Sequence, residues 1–558
     1  MFLTPPERVA DHVARGWWQG TTVDTLFQAT AAAHGDAIAL IDPPNRAALD
    51  GTAPDRLSWT DVAARVEATA AALLALGLAK DDIVAVQLPN TVDAVIVFLA
   101  AARLGLIVTP VVMQYRAHEL GYILSQTTPQ AFVTVTGFAG HNHAAMAARL
   151  AKDVPGMHVV TDLAARAAVA DPATVAPYVT AHPTDAAEVL TICWTSGTES
   201  RPKGVPRDHN HWLLNARVVA EATGMVTGDT LLNPFPLVNI GSIGGLVMPW
   251  LLLGGRLILH HPFDLGIFLA QIETESVSYT IAPPAVLTAL LARPELITAG
   301  AIASLRAIGS GSAPLSPWLI DGWLTHHDIE ICNIFGSNEG TSLFSSAIDV
   351  PDTTERARYF PRYGVAGIDW PGLAPQVMRT RLADLCTGAT ITTPGQPGEL
   401  RIGGGNVFGG YWRAPELTAA AFDEHGDFRT GDLFEIAGDG PLARFYRFVG
   451  RSKEIIVRGG VNISPAELDD LLVGMPGLVE AATVGLPDDR LGERVAVAVV
   501  PAGGAVPSLA DVVAWMGRAH EVAVFKRPER LVIVDRLPRN AMNKVVRSAL
   551  RLLVDAQL

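Results

Sequence analysis

Ile83-Val84-Ala85-Val86 leads through Leu88-Pro89-Asn90 into an apolar stretch from about Val92 to Leu104, and Gly105 separates it from a second apolar run, Leu106-Ile107-Val108. A short run with no polar alternation reads as a strand buried on both faces, and a helix apolar all round is buried as well. Strand, helix and strand in succession predict a βα unit in a mostly parallel sheet. Upstream, Ser58 and Asp61 give a capping-box signal, Val62, Val66, Ala70, Leu73 and Leu74 recur at helical spacing, and Gly77 stands where that helix stops. Downstream the grammar returns at Ala131-Phe132-Val133-Thr134-Val135, at Ser278-Tyr279-Thr280-Ile281 before Pro283-Pro284, and at Leu305-Arg306-Ala307-Ile308 before a glycine-rich turn. The larger part of the chain is therefore α/β.

Near residue 400 the texture changes. Pro397-Gly398-Glu399-Leu400-Arg401-Ile402 and Phe445-Tyr446-Arg447-Phe448-Val449 read as hairpin strands with polar turns, so a β-rich subdomain is expected from about residue 395. After Gly450-Arg451-Ser452-Lys453 comes a smaller α+β unit: a short strand, a helix from Ser464-Pro465-Ala466-Glu467, a strand at 495–500, a helix near 509–516 and a strand at 531–534. The expected division is a large domain, 1–452, and a small C-terminal domain, 453–558. The Ala/Pro-rich segment 161–184 reads as surface helix and loop, and no internal repeat is evident.

At 558 residues the chain corresponds to three or four domain-equivalents, which excludes a single small binding module. Hydrophobic residues make up 49% and charged residues 18%, a balance that excludes a disordered or coiled-coil chain. With 42 Lys and Arg against 56 Asp and Glu the net charge is −14, which argues against a general nucleic-acid or anionic-membrane binder. Cys193, Cys332 and Cys386 are too few and too scattered for a disulfide framework or a metal cluster, in keeping with a reducing cytoplasm. The opening MFLTPPERV lacks a continuous apolar run, so export is not expected. The uncharged stretch 230–255 reaches spanning length, but Pro234, Pro236, Asn239 and Pro249 interrupt it, so it reads as buried core.

Four segments carry residues fit for chemistry. Thr195-Ser196-Gly197-Thr198-Glu199-Ser200-Arg201-Pro202-Lys203-Gly204 follows the apolar run Val189-Leu190-Thr191-Ile192-Cys193-Trp194 and gathers hydroxyls, glycines and a lysine, the donors a polyphosphate requires. It is not a Walker A loop, since Pro202 precedes the lysine and Gly204 follows it; alone, it is equally a polar turn. Asn333-Ile334-Phe335-Gly336-Ser337-Asn338-Glu339-Gly340 puts one carboxylate after a strand, where open α/β sheets hold ligands, although a single Glu on a turn is commonly solvated surface. Phe428-Arg429-Thr430-Gly431-Asp432 offers an Asp for sugar hydroxyls or an ordinary Gly-Asp turn. Leu537-Pro538-Arg539-Asn540-Ala541-Met542-Asn543-Lys544-Val545 carries a lysine on a tight turn, commonly also a solvated feature.

Taken in this order the segments resemble the adenylate-forming superfamily of acyl- and aryl-CoA synthetases, nonribosomal-peptide adenylation domains and luciferases. Leu88-Pro89-Asn90, Pro236-Leu237-Val238-Asn239, Gly309-Ser310-Gly311-Ser312-Ala313-Pro314, Pro397-Gly398-Glu399-Leu400 and Gly450-Arg451-Ser452-Lys453-Glu454 with Arg458-Gly459-Gly460-Val461-Asn462 also fit, so the resemblance covers nearly the whole chain. It implies a carboxylate attacking the α-phosphorus of MgATP to give an acyl-adenylate and pyrophosphate, followed by displacement of AMP by the thiol of coenzyme A. By matching positions, Thr195, Ser196, Gly197, Thr198 and Lys203 would hold phosphates and Glu339 Mg²⁺. Asn338 would donate to the α-phosphate. Gly311, Ser312, Ala313, Asn333 and Phe335 would frame the adenine, and Asp432 and Arg451 the ribose. Lys544 would bridge the attacking carboxylate and the α-phosphate.

The resemblance further implies a mobile C-terminal domain that turns about Lys453, withdrawing Lys544 and bringing Gly459 and Gly460 to a pantetheine tunnel; Arg458 and Arg527 would serve coenzyme A. Asn239, Ile240, Gly311, Ile334 and Gly336 would line the acyl pocket, whose small and polar surface fits an aromatic, alicyclic or functionalised acid better than a long alkyl chain. Three departures stand out: Glu199-Ser200 where many members have Thr-Gly, Asn338 for a frequent Thr, and Asn239 for an aromatic or His. Coenzyme A is favoured over a carrier protein or an amine as acceptor. An unusual acid such as nitrite and a non-catalytic nucleotide-binding scaffold are the alternatives, the latter disfavoured because a scaffold needs neither Glu339 nor Lys544. No nucleic acid or membrane span is expected as a partner, and a homodimer is compatible with the sequence.

Overall fold

The computed structural model describes the chain apart from residues 196–201, 298–299, 312–313, 341, 452–453, 459–460, 489–490, 504–506, 521, 523, 541–543 and 558, and the side chains of residues 461 and 462. The helix Trp59–Ala75 starts where its cap says: Ser58 Oγ accepts from the Asp61 amide while the Asp61 carboxylate accepts from the Ser58 amide. Its buried face is Val62, Val66, Ala70 and Leu73. The strand Ile83–Gln87 is buried along its whole length, the helix Val92–Leu104 is buried on nearly every side, and Gly105, at φ +70°, ends that helix in the left-handed conformation. The next strand, Ile107–Pro110, pairs parallel with the first, Ile83 opposite Ile107.

Two sheets are built from such units. One orders His158–Val160, Ala131–Thr134, Ile83–Gln87, Ile107–Pro110, Val189–Trp194 and Gly204–Asp208, parallel up to a final antiparallel hairpin. The other orders Ser342–Ser345, Glu330–Gly336, Ala307–Gly311, Tyr279–Ile281, Thr230–Asn233, Arg256–Leu259, Ile38–Ile41 and Arg56–Ser58, parallel except at its two edges. One continuous apolar core joins these sheets and the helices, including His209–Ala222 and Met248–Leu253. The stretch 230–255 is part of that core: a strand, a π-helix Ile240–Val247 and a short α-helix. No described helix is long and apolar enough to cross a membrane.

A third, antiparallel sheet orders Tyr359–Pro361, Phe445–Arg451, Phe428–Ile436, Gly398–Gly404 and Met378–Ala383. It draws strands from well before residue 395, where the change of texture was expected to begin. Met378-Arg379-Thr380-Arg381-Leu382-Ala383 alternates in burial over its first five residues, but Thr380 on the buried face breaks the polar–apolar alternation that would announce a strand, and irregular segments flank it. The C-terminal sheet holds Ile456–Arg458, Val461–Ile463, Leu478–Asp488, Gly492–Pro501 and Arg530–Ile533, flanked by helices Pro465–Leu472, Leu509–Arg518 and Arg547–Ala556. Its longest strand pair, 478–488 with 492–501, and its last helix exceed the sequence expectation.

Candidate active site

The three sheets of the large domain each contribute residues that meet around the turn at Glu339. From the first comes the hairpin between Val189–Trp194 and Gly204–Asp208. Its neck is closed by the Thr195 amide donating to the Lys203 carbonyl (3.0 Å) and the Lys203 amide to Thr195 Oγ1 (3.3 Å). Residues 196–198, expected to hold phosphates with these two, lie outside the described residues. Gly204 is tightly packed: a Cβ there would lie 3.0 Å from both Ile192 and Trp412, so a neighbour would have to give by a few tenths of an ångström.

From the second sheet, the strand Glu330–Gly336 ends in the turn that carries Asn338 and Glu339. Arg207, fully buried, donates to the Asn338 carbonyl at 2.9 Å and so fixes the turn from behind. Burial draws Arg207 down to about 10, opposed by Cys193, Asp208 and Glu339. Asn338 Oδ1 accepts from the Ile240 amide at 2.9 Å, which ties the turn to the π-helix and leaves its NH₂ group on the donor side. Gly340, at φ +96°, lets the Asn406 backbone pass; a Cβ there would sit 1.8 Å from the Asn406 carbonyl oxygen. Glu339 itself is 8% exposed.

From the third sheet, Asp432 and Arg451 face each other across paired strands, with Arg451 Nε 3.1 Å from Asp432 Oδ1. Burial raises the Asp432 carboxyl to about 6 against the pull of Arg451 and Lys544. The strand Gly398–Gly404 of this sheet runs on into a loop that wraps the Glu339 turn: the Phe408 amide donates to the Glu339 carbonyl at 2.9 Å, and Tyr411 Oη donates to Glu339 Oε1 at 3.0 Å. The Tyr411 ring lies 4.9 Å beneath the Lys203 ammonium. Burial, followed by the neighbouring Glu339, pushes the Tyr411 hydroxyl upward, so it stays a donor. Neither Tyr411 nor Arg207 was singled out from the sequence. Gly409-Gly410-Tyr411-Trp412 after a strand was the available signal for the first, and a lone arginine within a hairpin strand carried none for the second.

The remaining expected residues group as follows. Gly311 and Ile334 are register partners on adjacent strands, and a Gly311 Cβ would meet the Ile334 carbonyl at 2.0 Å, so only glycine fits. Gly336 ends the same strand, and Ile240 joins it through Asn338. Phe335 is half-buried among Phe360, Phe434 and Phe448, at 5.1–6.3 Å between ring centroids. Two residues have structural duties: Asn333 Nδ2 donates to the carbonyls of Arg356 and Ala357, and Asn239 Oδ1 caps the π-helix at the Ser242 amide. Ser312 and Ala313 lie outside the described residues.

Lys544 comes from the C-terminal domain on a turn closed by Asn540, whose Oδ1 accepts from the Lys544 amide at 3.0 Å. Its side chain is exposed, and Arg451, Asp432 and Glu454 are the charges that act on its ammonium. Crowding by protein, then the Arg451 cation, draws the ammonium below the ordinary lysine value; Asp432 and Glu454 pull the other way. Arg458 pairs with Glu529 at 2.6 Å, and Arg527 donates to the Val522 carbonyl at 2.8 Å, so both are engaged within their own domain. Lys453, Gly459 and Gly460 lie outside the described residues.

A conserved-domain model described as AMP-binding enzyme matches residues 27–412, and one described as AMP-binding enzyme C-terminal domain matches residues 467–544. The chain belongs to the family of AMP-binding enzymes. It is 30% identical to a 2-hydroxy-7-methoxy-5-methyl-1-naphthoate–CoA ligase of Streptomyces carzinostaticus over 98% of this chain and 96% of that protein. It is 31% identical to an indoleacetate–CoA ligase of Aromatoleum aromaticum over 90% of this chain and 94% of that one. ATP-bound MatB from Rhodopseudomonas palustris superposes with a TM-score of 0.79 at 27% identity, covering 96% and 99% of the two chains. This member of the family is thus an AMP-forming acid–CoA ligase of the adenylate-forming superfamily, with the large α/β domain and smaller C-terminal domain that its motifs implied.

Proposed function

We propose that this ligase activates a compact aromatic or alicyclic carboxylic acid with MgATP and passes the acyl group to coenzyme A, releasing AMP and pyrophosphate. The observation that carries the reading is the Asp432–Arg451 pair, which feels the charge of Lys544 from the C-terminal domain and that of Glu339, the carboxylate Tyr411 joins to Lys203. Adenylation builds charge on an α-phosphate under attack by a carboxylate, and fixed cations stabilise that charge without taking up protons. Lys544 supplies such a cation beside the ribose-binding pair, Lys203 neutralises the outgoing pyrophosphate, and Asn338 donates to the α-phosphate. Glu339 is a buried hard-oxygen ligand at a strand end, the kind of group that holds Mg²⁺ together with substrate phosphates. When bound, Mg²⁺ would offset phosphate charge and fix the leaving pyrophosphate.

The acid class rests on two supports. Asn239, Ile240, Gly241 and Ser242 offer small and polar surface, which suits a ring-bearing or functionalised acid better than a bare alkyl chain. The two relatives named above are, by their names, ligases of ring-bearing acids. Turnover of a mixed panel of aromatic, alicyclic and fatty acids with ATP and coenzyme A, read by mass spectrometry, tests the proposal. Aryl- or cycloalkyl-CoA with stoichiometric AMP is expected. Adenylate without any acyl-CoA would move a carrier protein or amine ahead as acceptor, and ATP binding without pyrophosphate release would leave the scaffold reading.

A further inference from the structure

Glu339 and Lys203 come from different sheets, yet one side chain touches both. Tyr411 donates its hydroxyl to Glu339 Oε1 at 3.0 Å and lays its ring 4.9 Å under the Lys203 ammonium. The tyrosine is itself tightly held. Its amide donates to Thr418 Oγ1 at 2.9 Å, the Trp412 amide donates to the Gly204 carbonyl beside Lys203, and the Phe408 amide donates to the Glu339 carbonyl. The loop is thereby bonded to the backbone of Glu339 and to that of Gly204, the neighbour of Lys203. A tyrosine serving only as packing would use its ring and leave its hydroxyl to solvent. Here the hydroxyl takes one oxygen of a nearly buried carboxylate, which fixes the carboxylate's rotation and directs the second oxygen, and a hydrogen-bonded outer partner of this kind tunes a metal ligand. The ring face meanwhile offers a cation a fixed seat.

We propose that Tyr411 is a positioning residue that couples the metal-side carboxylate Glu339 to the phosphate-side cation Lys203, so that the two receive the pyrophosphate end of MgATP as one preset unit. The inference rests on the reading of Glu339 as the Mg²⁺ carboxylate. It concerns Tyr411 alone and predicts that removal of its hydroxyl and removal of its ring have separable effects.

The test compares Y411F, which loses only the hydroxyl, with Y411L, which loses ring and hydroxyl, beside E339Q. Calorimetry without acid or coenzyme A gives the affinities for MgATP, magnesium pyrophosphate and AMP; initial rates of pyrophosphate release give the Mg²⁺ concentration for half-maximal activity. In Y411F, MgATP should bind about 10-fold more weakly and the Mg²⁺ requirement should rise by a similar factor, the lower end for loss of an outer-shell partner of a metal ligand. AMP should bind as in the wild type. Y411L should weaken magnesium pyrophosphate binding further than Y411F does, because Lys203 loses its seat. Wild-type MgATP affinity and Mg²⁺ requirement in Y411F, with both shifted in E339Q, would overturn the role of Tyr411 while keeping that of Glu339. An equal loss of AMP and MgATP binding in Y411F would reduce Tyr411 to general packing and overturn it as well. An unshifted Mg²⁺ requirement in E339Q would overturn the metal reading and the coupling with it.

Discussion

At the scale of single residues, Asp432 sets a pH dependence. Burial places its carboxyl near 6 in the folded enzyme, while an unfolded chain titrates an aspartate near 3.9, so the folded state binds more protons between those values. The sign follows: the contribution to stability is complete below about pH 4 and is lost as pH rises through about 6. Above that pH the enzyme holds a buried charge that Arg451, Lys544 and a ligand's hydroxyls relieve. Asp432→Asn should therefore melt higher than the wild type at pH 8, by about 1–2 kcal/mol, with the gap closing toward pH 5. The same change should raise KM for ATP about 10-fold, since a charged acceptor for the ribose is lost. In the wild type KM for ATP should climb as pH falls below 6, an arm absent from Asp432→Asn. A flat wild-type profile from pH 5 to 8, or an equal melting difference at both ends, would refute the assignment.

At the scale of elements, the N-terminal helix Pro6–Ala14 acts as a strap across the loop that carries Tyr411. Arg8 reaches from it to the carbonyls of Gly404 (3.3 Å), Val407 and Phe408 (3.0 Å), satisfying backbone oxygens that no strand partner covers. Arg8→Ala removes the charged donor from all three and leaves the Phe408 carbonyl without its bond, although Gly404 keeps the Val407 amide and Val407 keeps His211 Nε2, and should cost about 1–3 kcal/mol in chemical denaturation. It should also raise KM for MgATP more than KM for the acid, because the loop's far end meets Glu339 and Lys203. Equal effects on both substrates would mean that the strap serves stability only. Such long-range ties mark where sequence reading stops. Ser58 with Asp61, Gly105 after Leu104 and the buried strands between them declare themselves within a few residues, since caps, left-handed glycines and apolar runs are local. The turn at Glu339 was legible as a motif after a strand. Tyr411 and Arg207 gain their meaning from residues 72 and 131 positions away along the chain, and no local pattern carries that. The start of the antiparallel sheet was blurred for a related reason: Tyr359–Pro361 is short, and its partner Phe445–Arg451 lies far downstream.

At the scale of the molecule, the net charge of −14 coexists with a site where Arg451 and Lys544 stand against Asp432 and Glu454, so cations are gathered there against the sign of the surface at large. The cation delivered from the C-terminal domain is the telling one. Glu454, next to Lys453, pairs with Arg547 at 3.0 Å, and Arg547 also donates to Asp469 and to the Thr483 carbonyl. The segment just past Lys453 is thus bolted to the body of the small domain three residues beyond Lys544, and any turn of that domain about Lys453 would carry Lys544 with it. If one cleft performs adenylation with Lys544 in place and thioester formation after it withdraws, the two half-reactions must answer to different residues. Lys544→Ala should slow pyrophosphate release by about 10²–10³-fold, the loss expected for one preorganised charge-stabilising group, yet leave thioester formation from a supplied acyl-adenylate within a few-fold of wild type. Gly459→Trp should do the reverse, releasing pyrophosphate once per enzyme in a burst and then stalling with the adenylate bound. Quenched-flow measurement of both half-reactions in both variants decides the matter, and parallel losses in either variant would refute an enzyme of two arrangements in favour of a single fixed site.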